Sequence, residues 1–278
     1  MKQLSILLVV FFLSATLFAQ NTTLKLTYDT FMFENSKKKE RGSRYSTYLG
    51  YTKKVHDFKV MYEKTHTNTF QPPLDKDLIV HKYFAKYGYK LDNHNSFSFG
   101  YIYIDDNIMM EVDNGHIYSL GYQYNAFKIT QYLSDYKNFN VYQTDMQYKL
   151  KKRFDNFSTN MIILGKYIYL DNKDSNPFTK NAQKEYFTAG IKLHAEYETF
   201  HFGAGALFGK RVFAVMDDGF RVQHHAMEIN KTYMAGVTKD FNPFSLQAKY
   251  IYQRATEIPI QNENVLIKNI ILQGTYRF

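Results

Sequence analysis

The chain contains no cysteine, so it has no disulfide framework and no N-terminal cysteine to carry a lipid. Proline is scarce, with five residues, and no Ser/Gly-rich linker interrupts the sequence, so nothing marks a domain boundary. After residue 20 no apolar stretch approaches the ~20 residues that a membrane-spanning helix needs, which excludes a helical membrane protein. Acidic residues are the minority: 35 Lys and Arg face 26 Asp and Glu, a net charge of +9. The basic residues are spread along the whole chain instead of clustering, so no nucleic-acid partner is expected.

What is present begins with an export signal. Lys2 supplies a positive start, Ile6 to Phe12 an apolar run, and Ala15 to Ala19 small residues for cleavage after Ala19. Leu17 fits poorly before the cut, which leaves room for a shift of a residue or two. A retained anchor is the alternative, but the run is too short to span a bilayer. Residues 1–19 are therefore read as a signal peptide and 20–278 as one domain. That domain is rich in aromatics, with 25 Tyr and 24 Phe in the whole chain, yet the mean hydropathy is -0.44. A transmembrane β-barrel reconciles the two, because only alternate residues face lipid.

Period-two alternation supports this. Tyr142, Thr144, Met146, Tyr148 and Leu150 alternate with Gln143, Asp145, Gln147, Lys149 and Lys151. Phe187 to Tyr197 and Phe244 to Gln253 alternate likewise, and only a strand separates such residues into two faces. Short polar connections lead into Phe58, Phe97, Phe127, Phe157, Phe200 and Phe244, which are 30 to 44 positions apart, room for a hairpin each. Rings recurring at one height suit the aromatic girdle of a barrel. Longer, charged connections are placed at 35–43, 67–77, 106–115, 136–140, 171–184, 214–224 and 255–265. The division gives an all-β, antiparallel, up-and-down transmembrane barrel of about fourteen strands, or twelve if 136–140 is no true connection. Short turns are expected on the periplasmic side and longer loops outside.

The C-terminus resembles the terminal strand by which barrel-assembly machinery recognises outer-membrane barrels: Ile270, Leu272, Tyr276 and Phe278 share one face, with Gly274 a small departure. In length, single domain and strand count the chain is similar to the monomeric porins of the outer-membrane protein G type. That resemblance implies a passive pore in a Gram-negative outer membrane and carries no specific functional residue.

With the apolar face outward, the pore is expected to be lined by Lys25, Lys54, Lys59, Lys82, Lys86, Lys128, Lys149, Lys166, Lys192, Lys249 and Arg277. Acidic lining residues are fewer: Asp29, Glu63, Asp145, Glu196 and Glu228. A positive lumen enriches anions; the competing reading is that these charges pair across strands and only hydrate the interior. None of the loops is long enough for a large plug, though 171–184 could constrict the mouth. Asp105-Asp106, Asp217-Asp218 and His224-His225 are the candidate hydrolase groups, since a carboxylate can orient a His base. They match no enzyme motif and are read as solvated loop residues. His194 and Glu196 share a lumen face, but one His is too few for a metal. Ala204 and Ala206 are too short a small-residue stripe to imply a trimer.

The expected function is passive diffusion of small polar, anionic solutes, with an adhesive or structural surface role, or a barrel hydrolase, as alternatives. No catalytic residue, metal or cofactor is expected. The expected partners are outer-membrane lipid and lipopolysaccharide, the assembly machinery and small solutes.

Overall fold

The computed structural model describes residues 21–278 apart from 111, 156 and 176, so the signal peptide expected at 1–19 lies outside the described residues. The strands are β1 (Thr22–Glu34), β2 (Lys39–Lys53), β3 (His56–Thr69), β4 (Leu78–Lys90), β5 (Asn95–Asp106), β6 (Gly115–Tyr124), β7 (Phe127–Asp135) and β8 (Asn140–Arg153). They continue as β9 (Phe157–Asp171), β10 (Glu185–Tyr197), β11 (Phe200–Arg211), β12 (Val215–Met216), β13 (Arg221–Val222), β14 (Met227–Asp240), β15 (Phe244–Glu257) and β16 (Asn262–Arg277).

Fourteen of these close an antiparallel barrel, and β12 and β13 form a small hairpin of their own. Closure comes from β1 against β16, in register from Thr23 opposite Arg277 to Glu34 opposite Leu266. No sheet edge is left to meet lipid unpaired. The 136–139 connection is a true turn, in which the Tyr136 N–H donates to the Phe139 carbonyl at 3.2 Å, so the twelve-strand alternative falls. Several strands run further than expected: Lys39–Gly42 belongs to β2, and only 258–261 separates β15 from β16.

The outer wall is apolar. Leu26, Val60, Phe99, Leu120, Ile163, Leu193, Ile270 and Leu272 all stand exposed on it. Moving one such side chain from water into an apolar phase gains roughly 1.5–3 kcal/mol, so this surface calls for lipid. The six Phe residues of the short turns are 37–48% exposed and form a ring at the turn side. Their cross-strand neighbours are tyrosines: Phe58 faces Tyr51 and Tyr87, Phe97 faces Tyr89 and Tyr122, and Phe127 faces Tyr124 and Tyr148. Phe157 and Phe200 share Tyr197, and Phe244 faces Tyr276. Such pairs add roughly 0.2–1 kcal/mol each to strand pairing and build the belt an interface favours.

The inward face departs from the expected pattern. On the turn side it is polar, but on the loop side of β4 to β9 it is apolar, with Val80, Phe84, Ile102, Ile104, Ile117, Val141 and Ile168 buried. Over this stretch much of the inward face is apolar as well, between polar residues such as Lys82 and Gln143, which requires something inside the barrel to cover it.

Candidate functional site

The cover is the segment 212–226 between β11 and β14. Gly209, at φ +96, lets the chain leave the β11 ladder: a Cβ there would lie 2.3 Å from the Phe187 carbonyl oxygen, so this conformation needs glycine. The chain then turns inward. Val212, Phe213, Ala214 and Val215 are almost fully buried, and the Phe213 ring sits 5.0 Å from that of Phe139 and 5.9 Å from that of Tyr136. Phe220 packs on Tyr48 at 5.5 Å and on Phe84 at 6.3 Å. This corrects the expectation that no loop is long enough to plug the lumen; the 171–184 loop also packs on the same core through Phe178 and Ala182.

Polar contacts fix the segment across the lumen. The Val215 N–H donates to Gln143 Oε1 at 2.8 Å, while its carbonyl accepts from Gln143 Nε2 at 2.7 Å and Lys166 Nζ at 3.0 Å. Asp217 meets Lys192 at 3.0 Å, and Asp218 meets Lys86 at 2.8 Å and Lys128 at 2.5 Å. Burial works against charge on Asp217, but Lys192, Lys249 and Arg221 outweigh it and hold the carboxyl well below its usual range. Burial is likewise outweighed at Asp218, by Lys86 and Lys128. At the end of the hairpin, the Val222 carbonyl accepts from Lys82 at 3.3 Å.

The far end of the segment rests on Asp106. His224 and His225 place Nε2 at 3.1 and 3.5 Å from the same Asp106 oxygen, and Lys39 Nζ lies 2.8 Å from His225 Nδ1. Burial pulls both imidazoles below their ordinary value, helped by Lys82 and Lys39 at His224 and by His224 and Lys39 at His225, against the pull of Asp106. Asp106 and the two His thus come together, as a buried clasp and not as solvated loop residues. Asp105 is exposed elsewhere, and Asp217-Asp218 serve the lysines.

The predicted lining residues mostly take the inward face. Lys82 pairs with Glu63 at 2.8 Å, Lys166 pairs with Asp145, and Lys59 pairs with Asp57 at 2.5 Å. Asp29 pairs with Arg44, which also reaches Glu63 at 3.7 Å. Lys25, Lys149, Lys192 and Lys249 border the turn-side lumen, where cavities of about 340 and 390 Å³ open. Arg277 sits at the rim, 3.6 Å from Asp240, and Glu196 accepts a hydrogen bond from Ser158 at 2.8 Å. Two expectations fail. Lys54 is in the β2–β3 turn at φ 54, outside the lumen, because a two-residue turn needs a left-handed residue there. Glu228 lies past a bulge in β14 and pairs with Lys210 at 3.0 Å, because the register shifts between Ile229 and Lys231. The residues missed are Arg44, Gln143, Arg221, Asp240 and His201, together with the inward course of 212–226. The apolar run Val212 to Met216, unusual among charged loops, was the available signal.

A closed fourteen-stranded barrel with an apolar outer wall and a charged interior has the fold of outer-membrane β-barrel proteins. No protein-family model matches the chain, and no curated protein matches it in sequence. Solved structures do match in shape. The Acinetobacter baumannii outer membrane protein Omp33 is similar with a TM-score of 0.51 at 9% identity, over 94% of this chain and 100% of that one. The Pseudomonas putida toluene transporter TodX gives 0.54 at 8% identity over 93% and 90%. A bacterial polysaccharide outer membrane secretin gives 0.57 at 8% over 94% and 99%. At such identities the likeness is one of fold.

Proposed function

We propose that the protein is an outer-membrane channel for small polar solutes, anions before cations, and that the 212–226 segment sets its bore. The apolar wall and the Phe–Tyr belt support the membrane setting. The charge balance of the lumen carries the preference. The segment's carboxylates neutralise Lys86, Lys128 and Lys192, whereas Lys25 and Lys149 form no ion pair among the described residues and Lys249 acts on Asp217 only from beyond ion-pair distance. Cations left unpaired within a low-dielectric wall add their fields and concentrate anions.

Transport fits better than catalysis, because His224 and His225 are turned into the clasp beneath the segment. A path for an apolar solute such as the toluene named for TodX is disfavoured. The apolar inward residues Phe84, Ile104 and Ile168 are already covered.

The test is the reversal potential of the purified protein in a planar bilayer across a KCl gradient. Chloride should pass more readily than potassium, and the preference should shrink as the Debye length falls from about 30 Å at 0.01 M to about 3 Å at 1 M. Cation preference would overturn the selectivity, and absence of conductance would overturn the channel.

A further inference from the structure

At the turn-side mouth of the lumen, the β10–β11 hairpin brings together residues that are separated in sequence by its turn. His194 Nε2 lies 3.3 Å from Glu196 Oε1, and His201 Nδ1 lies 3.8 Å from that same oxygen. All three donor atoms fall within 4.8 Å of one another, and the two rings stack at 5.7 Å and 22°. His194 and Glu196 share the inward face of β10, and His201 is the direct cross-strand partner of Glu196.

We infer that His194, Glu196 and His201 form a binding site for a divalent transition-metal ion of the zinc, nickel or cobalt kind. Zinc binds imidazole nitrogen at about 2.0–2.1 Å and carboxylate oxygen at about 2.0–2.2 Å, so its tetrahedral ligands stand roughly 3.4 Å apart. The two distances to Glu196 straddle that separation. Two imidazoles and one carboxylate make a borderline-soft donor set that suits such ions better than calcium or magnesium. The remaining positions face lumen water.

The surroundings argue for a ligand more strongly than the triad does. His201 Nε2 lies 2.9 Å from Asp240 Oδ2, and the carboxylate can only accept, so that nitrogen carries the proton. In the neutral ring Nδ1 is then a bare lone pair, 3.8 Å from a carboxylate oxygen of Glu196. Two acceptors facing each other repel, and a cation between them removes the repulsion. Glu196 Oε2 accepts from Ser158 at 2.8 Å, which turns its other oxygen toward the two rings. A carboxylate behind a ligating His and a donor behind a ligating carboxylate are the outer supports that orient metal ligands. Glu196 brings a negative charge to a divalent ion, and Asp240, which also meets Arg277 at 3.6 Å, stands behind His201.

The other His-rich cluster serves as the contrast. Asp106, His224 and His225 are also close, but Lys39 Nζ, 2.8 Å from His225 Nδ1, already supplies a cation and holds that ring in a hydrogen-bonded role.

Binding is read without conduction, so it stands or falls apart from the channel proposal. Folded protein in detergent micelles is titrated with Co²⁺, and the visible absorption of the bound ion is followed. One ion per barrel is expected. His194→Ala and His201→Ala should each abolish the band, and Asp240→Asn should weaken binding by roughly 10–100-fold. His224→Ala should leave the titration unchanged. The side chains of His194 and His201 are 42% and 25% exposed, so truncating them leaves no buried cavity. Heat-shifted gel mobility checks each fold, and either His variant alone suffices. A wild-type protein that gives no saturating band would overturn the site. So would a band that survives either His194→Ala or His201→Ala in a folded variant, or one that disappears with His224→Ala.

Discussion

Asp218 holds two lysines from two strands, at 2.8 and 2.5 Å, and it does so from a segment that must cross the lumen to reach them. Replacing it by Asn leaves Lys86 buried beside a neutral group. Since Asp218 is itself partly exposed, the loss is discounted to about 1–2 kcal/mol of segment docking. That amounts to roughly a 5–30-fold shift between seated and released forms. Asp218→Asn should therefore raise the mean conductance and strengthen chloride preference, both read in bilayer recordings. The unpaired lysines work in the other direction. Lys149→Glu with Lys249→Glu should reduce or reverse the preference, whereas Lys37→Glu with Lys38→Glu, in the outer 35–38 connection, should do less. Reversal potentials of the two double variants decide this.

Among the elements, the strands were legible because their cause is local. Alternation over Tyr142 to Lys151 reports a two-faced strand whatever surrounds it, and each short turn announces itself by a brief polar connection before Phe. The β10–β11 register was also within reach. A turn at Glu198-Thr199 sets Tyr197 opposite Phe200 and Glu196 opposite His201, so His201 could have been placed from the turn alone. The course of 212–226 is not legible in the same way: its apolar run Val212 to Met216 hints at burial without saying against what. Its Val and Phe residues are buried by β4 to β9, far away in sequence, and period-two patterning carries no record of what an inward face will touch. For the same reason the apolar inward residues Ile104, Ile117 and Ile168 read as strand interior without revealing a plug.

The clasp on that segment makes a prediction with a definite sign. Burial lowers the affinity of His224 and His225 for protons while the segment is seated. The released segment returns them toward the ordinary value of 6.5 and binds protons first as pH falls. Seating is therefore complete above about pH 6.5 and weakens below it. Mean conductance should rise as pH is lowered from about 7.5 to about 5.5. In His224→Phe with His225→Phe, most of this response should be lost. A wild-type conductance that falls over the same range would contradict the sign.

The barrel as a whole depends on its last pairing. The Phe278 N–H donates to the Thr22 carbonyl at 3.0 Å, and its ring meets that of Tyr276 at 4.7 Å edge to face. Ile270, Leu272 and Tyr276 stand exposed on the outer wall. Deleting Phe278 should lower the yield of folded barrel, by heat-modifiable mobility in cells, more than Arg277→Glu does at the inward rim. Equal yields for the two variants would separate the terminal residue from assembly.

Ion pairs hold the segment in place, which has a consequence for how the proposed channel would handle current. An inert pore conducts in proportion to the electrolyte around it. Here the electrolyte also weakens the attachment, since raised salt screens the contacts of Asp217 and Asp218 with Lys192, Lys86 and Lys128. The carriers of the current thus loosen what restricts them. Conductance should climb more steeply than bulk conductivity as KCl is raised, so that the protein behaves as a resistor whose value falls with the medium it carries.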